Sequence, residues 1–222
     1  MHGQTLHEIY DRWAPLYPAQ PHNPLMMVEE RLMLARLPPL TGRRALDLAC
    51  GTGRYARHLQ QRGAQQVVGL DFSAEMLRRA EAVMRVRGEI CSLPLRDRAF
   101  DLVLSGLALG HAVNLAACLA EIARVLRPDG VLLYSDFHPE ALRRGQTRSF
   151  VDATGAKVSL PAGQHDRAAH LDGLRAAGLL VECLDEPRVG FEFDQPFAGG
   201  ERFYSEWRGV PMLLIVQARK RA

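Results

Sequence analysis

The residues best able to hold a ligand lie in the run Asp47-Leu48-Ala49-Cys50-Gly51-Thr52-Gly53 and, 20 positions after Gly51, at Asp71. Small residues at 49, 51 and 53 let backbone approach a ligand, and glycine accepts the positive φ of a tight loop. A helix following such a loop adds free N–H groups and a partial positive charge. A carboxylate at Asp71 is spaced to accept both hydroxyls of a ribose; its other role is to favour a helix N-terminus. Together these features point to a nucleoside-bearing cofactor. Gly51-Thr52-Gly53-Arg54-Tyr55-Ala56 also fits the nicotinamide pattern G-x-G-x-x-[GA]. Asp47 argues against a pyrophosphate there, because like charges would be confined together, and suits a ligand carrying an ammonium group.

Acid–base chemistry has fewer candidates. His111 follows the apolar run 100–105 and His138 follows the run 131–137, so both stand where strand ends meet ligands. Each can serve as a base or as a turn residue bonded to backbone, and Asp136 can orient His138. Tyr10, Trp13 and Tyr17 suit either a lid or helix packing; Tyr17, beside Pro18, is the better ligand candidate. Phe191, Phe193, Phe197, Phe203, Tyr204 and Trp207 form an aromatic crowd near Gly199-Gly200 that suits a pocket wall, a satellite core or a dimer contact. Arg12, Arg54, Arg143 and Arg144 can each pair with a carboxylate, and no spacing selects one.

These side chains need a frame. Residues 25–37 are amphipathic up to Pro38-Pro39, and from Arg44 strand and helix patterns alternate. Strands are expected at 45–49, 66–70, 86–90, 100–105, 131–137, 179–184 and 212–219, with helices at 55–62, 74–83, 112–126 and 167–177. Helical crossovers between strands imply a mostly parallel, doubly wound α/β sheet covered on both faces. Ligands bind such sheets at the carboxyl ends of the strands.

A length of 222 residues suits one domain. We divide it into a helical lid (1–40), a cofactor-binding core (41–138) and a closing segment with acceptor-pocket elements (139–222). An apolar content of 47% excludes a disordered chain. No run reaches the ~20 apolar residues of a membrane span, and the N-terminus lacks the apolar stretch of a secretion signal. Cys50, Cys91, Cys118 and Cys183 lack CxxC spacing, so neither a zinc site nor a disulfide set is expected, and a reducing cytoplasm is the simplest location. The net charge of +3 is nearly all arginine alternating with acids, which reads as solvated helix faces and not as a nucleic-acid surface.

The motifs then become specific. LDLACGTGRYARHL resembles the first motif of class I S-adenosylmethionine-dependent methyltransferases, and VVGLDFSAEML the second. EICSLPLRDRAFDLVLSGLALGHA is similar to the third and fourth, and EIARVLRPDGVLLYSDFHP to the fifth and sixth. The match runs in order from about 44 to 138, extends more loosely to MLLIVQARK, and is most like the type 11 group of small-molecule enzymes. The resemblance implies a Rossmann-like, seven-stranded, mostly parallel sheet with the last strand antiparallel and an N-terminal helical lid. It implies S-adenosylmethionine as cofactor, with S-adenosylhomocysteine as product. Asp47, Ala49, Gly51 and Gly53 would surround its methionyl end, Asp71 its ribose, and Phe72, Glu89 and Ile90 its adenine. Glu89 stands where the family usually has Asp, which leaves Cys91 or Ser92 as other partners. Ser105 would border the transfer centre, with His111, His138 and Tyr17 as candidate catalytic groups and no metal.

The expected activity is methyl transfer to an O or N atom of a small metabolite by a monomer or homodimer, without nucleic-acid or membrane partners. Two alternatives stay open. One is a carboxyl methyltransferase acting on an acyl-carrier-linked substrate, and the other a non-catalytic cofactor-binding protein of this fold.

Overall fold

Alternating apolar runs and amphipathic helices bury best as a sheet covered on both sides, and that is the architecture of the computed structural model, which describes residues 5–80, 84–161, 165–190, 193 and 200–221. The elements are α1 (Leu6–Trp13), α2 (Pro24–Ala35), β1 (Arg44–Leu48), α3 (Arg54–Gln61), β2 (Gln66–Asp71), α4 (Ala74–Arg79), β3 (Met84–Arg87), β4 (Phe100–Gly106), α5 (Leu115–Val125) and β5 (Leu126–Phe137). They continue with α6 (Pro139–Arg143), β6 (Arg148–Val151), β7 (Lys157–Leu160), α7 (Arg167–Ala176), β8 (Leu179–Asp185), α8 (Gly200–Trp207) and β9 (Leu213–Lys220).

Seven strands form one sheet in the order β3-β2-β1-β4-β5-β9-β8. β1 pairs in parallel with both β2 and β4, so the chain leaves β1 in one direction and later returns on its other side. That reversal opens a crevice at the strand ends, where the 49–53 loop lies. β9 runs antiparallel between β5 and β8, so the last strand in sequence closes the sheet from inside it. Leu46, Leu48, Val103 and Leu132 face one buried layer, Ala45, Leu102, Leu104 and Leu133 the other.

Several boundaries differ from the sequence reading. α4 ends at Arg79, its cap Ala80 being extended, while residues 81–83 lie outside the described residues. β3 stops at Arg87, so Glu89 and Ile90 sit in the turn beyond it. α5 begins at Leu115, because Asn114 caps it by accepting the Ala117 N–H at 3.0 Å; a short 3₁₀ turn, Leu109–His111, precedes it. The β6–β7 hairpin was not expected, since its four-residue strands carry mixed polarity. Helix α8 occupies part of the aromatic-rich segment, and Phe191 and Phe197 lie outside the described residues. The cysteine expectation is also corrected: Cys91 and Cys118 form a disulfide. No motif links residues 27 apart; packing of the turn after β3 against α5 joins them. No helix among the described residues is long and apolar enough to cross a membrane.

The N-terminal segment is fastened at three points. Trp13 of α1 stacks on Phe150 of β6 with centroids 4.5 Å apart and planes 7° from parallel. Arg12 pairs with buried Asp152 of the hairpin, and Asp11 accepts from the Ser73 hydroxyl at the start of α4. Behind it, Glu29 of α2 is fully buried. It accepts from the Tyr55 hydroxyl (2.7 Å), the Ser135 hydroxyl (2.5 Å) and the Arg54 guanidinium (3.0 Å), joining α2, α3 and β5. Replacing Glu29 with Ala strands two hydroxyls and leaves the Arg54 guanidinium, whose side chain is only 11% exposed, with Glu30 as its remaining carboxylate. We expect Glu29→Ala to lower unfolding free energy by about 3–5 kcal/mol in urea denaturation. A loss under about 1 kcal/mol would show that these groups find other partners.

Candidate functional site

The loop after β1 has the backbone that its small residues permit. Ala49, Gly51 and Gly53 have φ values of 55°, 54° and 83°. Ala49 is not glycine, so its left-handed conformation carries strain of the kind that collects at binding sites. Asp71, at the end of β2, fixes the loop by accepting the Gly51 N–H at 2.8 Å and the Ser73 N–H at 2.9 Å. A carboxylate has about four acceptor positions, so Asp71 retains capacity toward the crevice.

A cavity of about 280 Å³ opens there. Ala49, Gly51, Asp71, Phe72, Glu89 and Ile90 line it, together with Tyr17 and His111. Eight of the sequence-selected residues are thus brought to one space. Glu89 is engaged by His7, its Oε1 lying 2.9 Å from His7 Nε2, and His7 stacks on Phe72 with centroids 4.4 Å apart. α1 therefore supplies one face of the slot expected for an adenine.

The other selected residues sit outside that lining. Asp47 is buried behind the loop and accepts the Ala56 N–H at 2.7 Å, which holds the first turn of α3. Gly53 is the left-handed N-cap of α3. Ser105 is fully buried, directly before Gly106. His138 caps α6: its Nδ1 accepts the Glu140 N–H at 3.1 Å and its Nε2 lies 3.0 Å from Glu186, away from both cavities described here.

These surroundings fit a sulfonium nucleoside with an amino-acid tail. Thr52 Oγ1 and Ser105 Oγ are buried with no hydrogen-bond partner among the described residues, and neither residue lines a cavity. Burial pushes the Asp47 carboxyl up to about 7, with Asp71 and Glu29 adding to the rise while the Ala56 N–H and Arg54 oppose it. A nearby ammonium would favour its ionised form.

A second cavity, of about 340 Å³, lies under α1 and the hairpin. Tyr10, Tyr17, Gly106 and Leu107 line both spaces and form their junction. Gly106 is required at this point because an added Cβ would lie 2.4 Å from the Tyr55 ring. Leu107 has φ 55° and is held there by its N–H donating to Ser135 at 3.0 Å. The outer walls include Trp13, Phe137 and Phe203, with Arg54 and Arg148 as the charged residues.

His111 sits at the junction edge in a defined tautomer. The Pro161 carbonyl, 2.9 Å from Nδ1, can only accept, so Nδ1 carries the proton and Nε2 the lone pair. Nε2 faces the Tyr10 hydroxyl at 2.8 Å and the Arg148 guanidinium. Burial, reinforced by the Arg148 charge, brings the His111 pKa down to about 3, so the ring is neutral at physiological pH. Burial pushes Tyr10 up to about 12, which keeps it a phenol donating to His111. Sequence reasoning missed His7, Leu107 and Arg148. His7 was legible three positions before Tyr10 on one helix face; Leu107 and Arg148 carry no local signal.

A family model described as "Methyltransferase domain" matches residues 46–134. An uncharacterised protein of Haemophilus influenzae is 33% identical over 249 residues, spanning 95% of each chain. A malonyl-[acyl-carrier protein] O-methyltransferase of a Methylovorus species is 34% identical over 179 residues, covering 74% of this chain and 58% of that protein. The chain spans about half the length of the relatives bearing that name, between 42% and 60%. Among solved structures, an S-adenosylmethionine-dependent methyltransferase of Mesorhizobium loti superposes with a TM-score of 0.70 at 26% identity, over 86% of this chain and 97% of that one.

Two outcomes follow for the inner cavity. Asp71→Ala should weaken S-adenosylhomocysteine binding about 10- to 100-fold in calorimetry, because a charged acceptor of several hydrogen bonds is lost; unchanged affinity would remove Asp71 from the site. For Asp47, the folded pKa lies above the unfolded one, so its stabilising contribution is complete below the unfolded value and is lost as pH rises through about 7. Asp47→Asn cannot ionise and should be about 1–3 kcal/mol more stable than wild type at about pH 8, with the gap closing near pH 4 in denaturant titrations.

Proposed function

The chain belongs to the class I S-adenosylmethionine-dependent methyltransferases, in their type 11 group, and from that membership we propose that it methylates an O or N atom of a small metabolite held in the outer cavity. The observation that carries this reading is the shared wall. One space fits the cofactor, the other is aromatic and concave, and they meet at Tyr10, Tyr17, Gly106 and Leu107. An acceptor in the outer space is thereby aimed at the inner one, and alignment is the main contribution a protein makes to such a transfer.

The bound cofactor supplies an activated methyl group on a positively charged sulfur. Asp71 holds the ribose and keeps the 49–53 loop in its left-handed form. Phe72, with His7 above it, and Ile90 hold the adenine. Gly106 keeps the junction free of side-chain bulk, and Tyr10 with Tyr17 covers it against water. His111 is a weak base in this setting, since its lone pair is taken by Tyr10 and Arg148. The arrangement therefore suits a nucleophile that already carries its electron pair.

A second reading, carboxyl methylation of an acyl-carrier-linked substrate, is favoured by one further observation: an arginine, Arg148, lines the outer cavity. Relatives named for malonyl-carrier O-methylation agree with it.

S-adenosylhomocysteine is expected to raise the melting temperature and NAD(H) to leave it unchanged. Selective stabilisation by NAD(H) would overturn the methyltransferase reading. A screen with methyl-labelled cofactor should place label in a small molecule, and labelling confined to nucleic acid would overturn the choice of acceptor.

A further inference from the structure

A covalent bond sits in the wall of the cofactor cavity. Cys91 lines that cavity beside Glu89 and Ile90, and its sulfur is joined to Cys118 of α5. His111, Ala112 and Val113, in the stretch that leads into the Asn114 cap of α5, line the same cavity. The disulfide therefore ties the turn after β3 to the element that carries another part of the lining. Cys91 is half-buried and can be reached from the cavity, whereas Cys118 is fully buried. Cys50 and Cys183 are free thiols.

The chain on either side of Cys91 is fastened independently of this bond. Upstream, the Gly88 N–H donates to the Asp71 carbonyl at 3.1 Å and continues the pairing of β3 with β2. Downstream, Leu93 is tied to α5 twice: its N–H donates to Glu121 at 2.8 Å, and its carbonyl accepts from Arg124 at 2.9 Å. Between these anchors residues 89–92 form a turn closed on itself, the Ser92 N–H donating to the Glu89 carbonyl at 3.1 Å. Besides the disulfide, the turn holds to the rest of the described residues through weaker contacts. Ile90 packs partly buried on the sheet, Glu89 meets His7 at an exposed position, and the Cys91 sulfur lies 3.5 Å from the Asn114 carbonyl. Opening the disulfide thus frees four residues of the cavity wall and leaves the sheet and α5 in place.

We infer that Cys91–Cys118 is a redox-operated clasp on the cofactor site, the oxidised protein binding the cofactor tightly and the reduced protein weakly. The inference rests on the methyl-transfer reading above, which assigns this cavity to the cofactor, and adds a means of regulating it. The reductant is a dithiol. One of its thiolates attacks the Cys91 sulfur, the sulfur–sulfur bond breaks with its electron pair on Cys118, and Cys118 takes up a proton. The second thiol then attacks the mixed disulfide and releases Cys91, which is protonated in turn. Two electrons and two protons pass to the protein, and the reductant leaves as a disulfide. A freed turn must be ordered again whenever the cofactor binds, and ordering even one or two residues lowers affinity about tenfold or more. Linkage makes the effect reciprocal, so bound cofactor favours the closed disulfide.

The test uses the full chain in two states, oxidised with diamide and reduced with dithiothreitol. Peptide mapping should find Cys91 joined to Cys118 in the first state and both cysteines open to alkylation in the second. In calorimetry S-adenosylhomocysteine should bind about 10- to 100-fold more weakly to the reduced protein, with far-ultraviolet circular dichroism unchanged. Cys118→Ala removes a sulfur that lines neither cavity, and should bind like the reduced protein with or without dithiothreitol. Saturating S-adenosylhomocysteine should make the disulfide harder to reduce, by about 30 mV for each tenfold difference in affinity. Absence of the cross-link after diamide would overturn the inference, as would equal affinity in the two states or tighter binding by the reduced protein. Loss of circular dichroism on reduction would overturn it too, since the clasp acts on one turn. Each of these leaves the methyltransferase reading intact. Failure of both states to bind S-adenosylhomocysteine would instead overturn the reading beneath it.

Discussion

The buried carboxylate of Glu29 is the interaction on which the rest of the site depends. It lies in α2, yet its partners come from α3 and β5, so one side chain ties the N-terminal segment to the carboxyl ends of the strands. Such a charge is tolerable only when its acceptor positions are filled, and three donors fill them here. The consequence reaches the junction of the two cavities. Tyr55, held by Glu29, backs Gly106 so closely that any side chain there would clash. Ser135, held by the same carboxylate, fixes Leu107 in its left-handed conformation. The junction of the two cavities is shaped from behind.

In front of that gap the chemistry is governed by burial more than by individual residue type. His111 would be a serviceable base in water, but a buried position beside Arg148 keeps it neutral and occupies its lone pair. Asp47 shows the opposite displacement, its carboxyl raised by the same loss of water. Both displacements have burial as their main cause, a pattern common at functional sites. The Arg148 guanidinium follows this logic, with its nearest carboxylate beyond hydrogen-bond reach.

Much of the frame was legible in the sequence because it depends on local pattern. Apolar strand runs and the crossover helices between them dictate a doubly wound sheet, and Gly51, Gly53 and Asp71 are constrained by loop geometry within twenty residues of one another. The β6–β7 hairpin escaped because four-residue strands with mixed polarity have no clear period. The Cys91–Cys118 disulfide escaped because its partners share no motif. His138 matched His111 in placement after a strand, yet one ring caps a helix and the other reaches the junction. His138 follows β5 directly while His111 ends the 3₁₀ turn after β4, and the path of the backbone there separates them.

The sequence by itself therefore determined the strand and helix pattern of the sheet, the cofactor class through its ordered motifs, and the placement of Gly51, Gly53 and Asp71 at the strand ends. Each of these rests on neighbours in the chain or on periodicity. Tertiary structure alone decided that His7 of α1 stacks on Phe72, that Arg148 reaches Tyr10 and His111 from a distant hairpin, and that His111 is held neutral. Those outcomes depend on burial and on charges far apart in the chain, which no local spacing encodes.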